Sequence, residues 1–201
     1  MAGGVANVTE FRELAGLPPY GPMATSFPAS FAKTGREGYV LEVSPDFGDA
    51  WVGNFARGLG GHSGAYAHPN GSDLVVFAGG SGYVIDPRTH TLREEFGHGV
   101  VAHVWKVTDP PGLICDRQGL AFFRIGSAGI LWHTRRLSWD GFRDVALTPT
   151  RITGLAWGLG DAWVPFSVEL AGGSSAGGSI QGAGDFDWEV LAKGSTERSG
   201  R

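Results

Sequence analysis

Three carboxylates near the carboxyl end of the chain form the pattern closest to a catalytic or metal-binding set. Asp185, Asp187 and Glu189 alternate with apolar side chains, so on a strand all three would lie on one face. Such a row could bind a hard cation, or two members could act as acid and base in glycoside hydrolysis. The pattern is also typical of the solvated side of an edge strand, where charges prevent aggregation. We favour the edge strand, because a metal site would need a second acidic cluster, for which Asp46 and Asp49 are the candidates.

The histidines do not have the spacing of a zinc site. His98 and His103 are five residues apart, which places them on opposite faces of a strand. His62 and His68 flank the glycine-rich stretch 58–64, where a ligand or phosphate could approach the backbone. No helix follows this stretch, which disfavours dinucleotide binding. We therefore expect no metal and no cofactor, and we keep His62 and His68 as candidate contacts to a ligand or partner.

One basic and aromatic cluster stands out in the second half of the chain. Trp132, Arg135, Arg136 and Trp139 lie within eight residues, with Arg143 close behind. They could stack on or clamp a nucleotide, a sugar or an acidic segment of a partner. In the alternative that we favour, the tryptophans pack a hairpin and the arginine stems cover it.

Residues 173–177 match the G-x-S-x-G pattern of a nucleophile elbow. That elbow needs a strand before the serine and a helix after it. Residues 178–182 read Gly-Ser-Ile-Gln-Gly, which cannot start a stable helix. We predict a flexible hairpin loop here.

Composition limits the class of protein. The 201 residues include 34 Gly and 11 Pro, and 42% are hydrophobic, which predicts a packed core in one domain. The net charge of −4 disfavours generic binding to nucleic acid or to an anionic membrane. A single cysteine, Cys115, excludes an intrachain disulfide. With no apolar run of membrane-spanning length and no signal-peptide pattern, we predict a cytoplasmic protein.

Patterning predicts an all-β fold of antiparallel meander hairpins with a short N-terminal helix. The helix is expected at 10–15, with Thr9 as its cap. We predict an irregular or briefly helical segment at 1–38 packed on an all-β domain at 39–193, and a disordered tail at 194–201. Strand 100–107 should be buried on both faces, and Pro165 should mark an edge or a bulge. Predicted strands cover 39–43, 51–55, 74–78, 83–86, 100–107, 113–115, 120–125, 130–134, 142–147, 152–157, 163–170 and 186–191.

The chain also repeats itself. The pentapeptide Gly-Asp-Ala-Trp-Val occurs at 48–52 and at 160–164, and strand–turn–strand units start at Leu74, Leu113 and Leu155, spaced by 39 and 42 residues. This rhythm resembles the blade repeats of β-propeller proteins of the WD-repeat and quinoprotein-like types, in which each blade is a four-stranded meander. The resemblance implies a small or partial propeller, while a β-sandwich would explain the same strands. The general character is also similar to uncharacterised bacterial β-rich proteins, which implies no activity.

These observations favour a non-catalytic binding or interaction protein, an immunity-type or regulatory scaffold, over an enzyme. Its partner would be an unknown protein or a small ligand, and the chain itself a monomer or a weak homo-oligomer. The alternative is a hydrolase, possibly on carbohydrate, that uses Asp185, Asp187 and Glu189. That alternative requires two carboxylates to meet in a cleft at about 5 to 10 Å.

Overall fold

A computed structural model describes residues 9–180 of the chain. The fold is all-β, about 51% strand and 3% helix, with four sheets of four strands each in the described residues. In chain order the strands are β1 (Glu10–Glu13), β2 (Thr25–Phe27), β3 (Tyr39–Ser44), β4 (Trp51–Phe55), β5 (Gly64–Ala67), β6 (Leu74–Ala78), β7 (Ser81–Asp86), β8 (Thr91–Phe96), β9 (Val101–Thr108), β10 (Pro111–Arg117), β11 (Ala121–Gly126), β12 (Gly129–His133), β13 (Phe142–Leu147), β14 (Arg151–Trp157), β15 (Trp163–Glu169) and β16 (Ser175–Gly177).

Three of the sheets are simple meanders. Their strand orders are β5-β6-β7-β8, β12-β11-β10-β9 and β13-β14-β15-β16. The first sheet differs, with the order β1-β3-β4-β2, and β2 runs parallel to β4. The three predicted strand–turn–strand units are the inner strand pairs of the three meanders, so the sequence rhythm marks one four-stranded sheet per repeat. The resemblance to propeller blades stays a prediction.

The predicted all-β class is confirmed, and most predicted strands are present. The runs 51–55, 74–78 and 142–147 match β4, β6 and β13 residue for residue. The predicted strand 186–191 and the predicted tail 194–201 lie outside the described residues. Within the described residues, no helix is long and apolar enough to cross a membrane.

The expected helix at 10–15 is wrong, because these residues form β1. Arg12 lies opposite Glu42 of β3 and forms a 2.6 Å ion pair with it. Pairing with a neighbouring strand therefore overrides the local helix signals. The one short helix of the described chain is a 3₁₀ helix at Ala29–Thr34. The predicted N-terminal segment thus contributes β1, β2 and this helix.

The strand expected to be buried on both faces is β9, and that expectation is also wrong. It lies at the edge of its sheet, and none of its residues after Val101 is buried. The strands buried on both faces include β6 and β11, in which every residue is buried.

Pro165 was expected at an edge or a bulge, but it lies in β15, which pairs on both sides. Its carbonyl accepts a 2.9 Å hydrogen bond from Gly178 N–H. In a strand, the nitrogen and the carbonyl of one residue point toward the same neighbouring strand. The Pro165 nitrogen therefore points toward β16, and the pairing of β15 with β16 begins only at Phe166. The missing N–H therefore breaks no ladder bond.

Contacts group the described chain into two compact units, residues 9–118 with 123–131, and residues 119–122 with 132–180. In the first unit, alternate residues of β6 enter two different cores. Leu74, Val76 and Ala78 pack with residues of β3, β4 and β7. Val75 and Phe77 pack with residues of β10 and β11. The core of the second unit includes Phe122, Phe142 and Phe166, with ring centroids 4.6 to 5.6 Å apart.

Glycines allow close packing of one backbone segment against another, as well as tight turns. A Cβ at Gly58 would lie 2.3 Å from the carbonyl oxygen of Gly79 and 2.4 Å from Gly99 Cα. A Cβ at Gly80 would lie 2.7 Å from the carbonyl carbon of Gly99. The loops that carry these glycines meet backbone against backbone in the first unit, which leaves no space for side chains.

Candidate functional site

His62 lies just before β5 and is half-buried. Its Nε2 shares a 2.6 Å hydrogen bond with the hydroxyl of Tyr66, and its ring meets the edge of Phe77. Burial, with a smaller contribution from the charge of His103, lowers the pKa of His62. The neutral ring is therefore part of the packing around Tyr66, and its polar edge is already occupied.

His68 follows β5 and is buried. Its Nδ1 accepts a 3.1 Å hydrogen bond from the backbone N–H of Asn70, and its backbone bonds to Asp73 and Gly71 close the turn. Burial lowers the pKa of His68, which favours the neutral form that this acceptor role requires. His68 is a turn-forming residue in this structure.

The predicted basic and aromatic cluster divides into buried and exposed parts within the second unit. Trp132 is buried, and its Nε1 donates a 3.0 Å hydrogen bond to the carbonyl of Leu170. Arg135 donates to the carbonyls of Gly177 and Ile180 at 2.6 and 2.5 Å. These two side chains hold the segment that contains β16, so neither is free to bind a ligand.

Arg136 and Trp139 lie closer to solvent. The Arg136 guanidinium lies over the Trp139 ring at 5.3 Å and donates to the carbonyls of Ser138 and Trp139 at 2.9 and 2.7 Å. Trp139 is 42% exposed. The favoured alternative, in which the cluster packs a hairpin, matches these contacts.

The carboxylates Asp185, Asp187 and Glu189 lie outside the described residues. The structure does place the candidates for a second acidic cluster. Asp46 forms two hydrogen bonds with the Arg88 guanidinium, at 3.0 and 2.6 Å, and these lower the pKa of Asp46. A general acid needs the opposite shift, so Asp46 serves as an ion-pair partner. Within the described chain, no three His, Cys, Asp or Glu side chains are placed to hold a metal ion.

The G-x-S-x-G stretch is a hairpin turn followed by a strand. Gly173 donates its N–H to the carbonyl of Glu169, and Glu169 donates its own to the carbonyl of Ser174. Residues from Ser175 then pair with β15 as β16. The predicted flexible loop is thus a paired edge, and no helix follows it in the described residues, so Ser175 lacks the setting of a nucleophile elbow.

An open cavity lies beside a segment that sequence reasoning passed over. Residues 17–23, Leu-Pro-Pro-Tyr-Gly-Pro-Met, form what we call the proline-rich loop, and all seven are exposed. Tyr20 is 90% exposed and Met23 is 96% exposed. The loop forms much of the wall of a cavity of about 420 Å³. We call this space the loop cavity.

The fold holds this loop at both ends. Leu14 N–H donates to the carbonyl of Val40 at 3.0 Å, and Leu17 N–H donates to Glu37 Oε2 at 2.8 Å. After the loop, β2 pairs with β4. The exposed apolar side chains are therefore presented on a tethered segment.

The polar residues of the loop cavity come from β2, from the turn after the 3₁₀ helix and from β4. Asn54 is buried, accepts the N–H of Gly38 at 2.8 Å and donates to the carbonyl of Arg36 at 3.1 Å. Arg36 is the only charged residue in the cavity lining. The lining is thus mainly apolar, with one cation.

The loop cavity could have been found from the sequence by one signal. Residues 14–24 form an uncharged run with three prolines, two glycines and no strand or helix period. Apolar side chains that cannot enter a regular element have few routes into a core, so part of them remains at the surface.

Comparison of the sequence with protein-family models and with curated proteins finds no match.

Proposed function

We propose that this chain is a non-catalytic binding protein whose recognition site is the loop cavity with its proline-rich loop. One observation carries the proposal: Tyr20 and Met23, two large apolar side chains, stand almost fully in water at a cavity of about 420 Å³. Contiguous apolar surface next to a cavity is the usual mark of a binding site.

The tethering of the loop supports recognition. A loop held by Leu14, Leu17 and β2 loses less conformational freedom on binding than a free segment would. Prolines restrict the loop further. The site is therefore partly organised before its partner arrives.

The other candidate residues support the same choice. Backbone groups of the fold form hydrogen bonds with the side chains of His68, Trp132 and Arg135. These side chains therefore stabilise the structure. The carboxylates of the hydrolase alternative lie outside the described residues. A cytoplasmic location is part of the proposal, because the single cysteine of the chain, Cys115, is a free thiol and free thiols are typical of a reducing compartment.

Photo-cross-linking tests the proposal. A photoreactive phenylalanine replaces Tyr20 in one variant and Phe47 in the control, since Phe47 is an aromatic residue of the same unit, 68% exposed and outside the cavity lining. In extract from the native host, the Tyr20 probe should give one discrete adduct by mass spectrometry. Adding Met23→Glu should remove that adduct. Equal adduct patterns at both probe positions, or no adduct at Tyr20, would refute the proposal.

A further inference from the structure

The residues that line the loop cavity are mainly apolar and include one cation, which limits the kind of ligand that the cavity can bind. Its apolar part consists of Leu17, Tyr20, Met23, Ala24 and Ala32 with the loop prolines, and its polar residues are Ser26, Asn54 and Arg36. No carboxylate belongs to this lining. The one charged residue of this lining is therefore a cation, in a chain whose net charge is −4.

Arg36 differs from the other arginines of the described chain. Arg12, Arg88, Arg93 and Arg151 pair with carboxylates. The Arg36 guanidinium has no ion pair, hydrogen bond or ring contact with any of residues 9–180.

The nearest carboxylate in sequence, Glu37, does not form an ion pair with Arg36. Its Oε2 accepts the backbone N–H of Leu17 at 2.8 Å, which holds it to the start of the loop. An anion that entered the cavity would thus find the Arg36 cation without a competing partner. Charge-assisted hydrogen bonds from a guanidinium to a carboxylate are among the stronger polar contacts in proteins.

Size favours a small molecule over a protein segment. The volume of about 420 Å³ lies within the range of about 300 to 1,000 Å³ that small-molecule pockets occupy. A stable protein interface buries about 800 Å² on each partner, which a cavity of this size does not offer by itself.

We infer that the loop cavity binds a small amphipathic carboxylate, which is a molecule with an apolar body and one terminal carboxyl group. This inference rests on the proposed function. The apolar body packs against Tyr20, Met23 and the loop prolines. The carboxylate binds at Arg36. The burial of apolar surface gives most of the affinity, and Arg36 gives the preference for an anion.

Calorimetric titration with three probes of equal chain length tests this inference: sodium octanoate, 1-octanol and octylammonium chloride. We expect octanoate to bind about tenfold more tightly than octanol, and octylammonium to bind more weakly than either. Arg36→Gln should lower octanoate affinity to the level of octanol and leave octanol binding unchanged. The control Lys33→Gln removes a cation from the same 3₁₀ helix outside the cavity lining and should bind all three probes as the natural chain does.

The outcomes separate the two proposals. If Arg36→Gln binds octanoate as the natural chain does, or if Lys33→Gln loses as much affinity, the carboxylate inference is wrong. If octanoate does not bind while the Tyr20 probe still gives its discrete adduct, the inference falls and the proposed function stands. If octanoate does not bind and no adduct forms, both are wrong. Unchanged circular dichroism of the variants, expected for these exposed positions, excludes misfolding as the cause of any loss.

Discussion

The indole Nε1 of Trp51 donates a 2.8 Å hydrogen bond to the carbonyl of Pro87, in the turn that follows β7. The same indole stacks on His90, with ring centroids 4.2 Å apart. Its counterpart in the repeated pentapeptide is Trp163, which likewise begins an inner strand of its sheet. Trp163 is only half-buried and lies beneath the Arg143 guanidinium at 4.3 Å. The repeated pentapeptide thus starts a strand in both places, but its tryptophan packs differently.

This difference predicts unequal costs of truncation. Trp51→Ala should lower the free energy of unfolding by about 3 to 5 kcal/mol, because it removes a buried ring and its hydrogen bond. Trp163→Ala should lower the free energy of unfolding by clearly less, since the Trp163 ring is partly in contact with water. Urea unfolding of both variants measures the two values. Equal losses would show that the two tryptophans contribute alike.

Close backbone packing predicts a cost for adding a single methyl group. Gly58→Ala would place its Cβ against Gly79 and Gly99, and it should lower stability by about 1 to 3 kcal/mol. Gly172→Ala is the matched control, because nothing lies within 4 Å of its Cβ position. The control should leave thermal stability unchanged or slightly raised. Thermal melts of the two variants decide whether the loops need this close approach.

The buried His68 predicts a loss of stability in mild acid. Because its pKa is lowered in the fold, its contribution is fully present above about pH 6.5. That contribution is lost as the pH falls through the lower folded value, where the unfolded chain binds the proton first.

Urea unfolding at pH 7.5 and at pH 5 tests this dependence in the natural chain and in His68→Gln. The variant should be less stable at pH 7.5 and should lose less stability on acidification. His98→Asn, at an exposed position with φ of 40°, should keep the dependence of the natural chain. An unaltered pH dependence in His68→Gln would contradict the assignment.

The exposure of Tyr20 predicts that binding and stability separate at the loop cavity. Tyr20→Ala should change the free energy of unfolding by no more than about 0.5 kcal/mol, while it weakens octanoate binding. Phe77→Ala, which removes a fully buried ring, should cost about 3 to 5 kcal/mol. A large fall in stability for Tyr20→Ala would mean that the ring packs against the fold.

Much of the fold follows from short-range patterns. Short apolar runs such as 74–78 favour a buried strand, and the Asp86 side chain closes the turn after β7 by accepting the N–H groups of Arg88 and Thr89. These elements depend on neighbours in the chain, so the sequence alone shows them.

Elements that depend on a distant partner escaped sequence reasoning. The sequence of β1 carries helix signals, but its pairing with β3 supplies backbone hydrogen bonds that no local sequence pattern predicts. β5 and β8 have few buried apolar residues, because each lies at the edge of its sheet and needs only one neighbour. The loop cavity was missed for a similar reason, since its walls combine the proline-rich loop with Ala32 and Asn54 from elsewhere in the chain.

Because β6 is buried on both faces, consecutive residues of this strand report on two different cores. Leu74 and Val76 sense one core and Val75 senses the other, although the three follow one another in the chain. Methyl labels on these residues would show by nuclear magnetic resonance which core loosens first as denaturant is added. A difference between Val75 and its neighbours would divide the first unit into two layers that open in sequence, and a common midpoint would show that they open together.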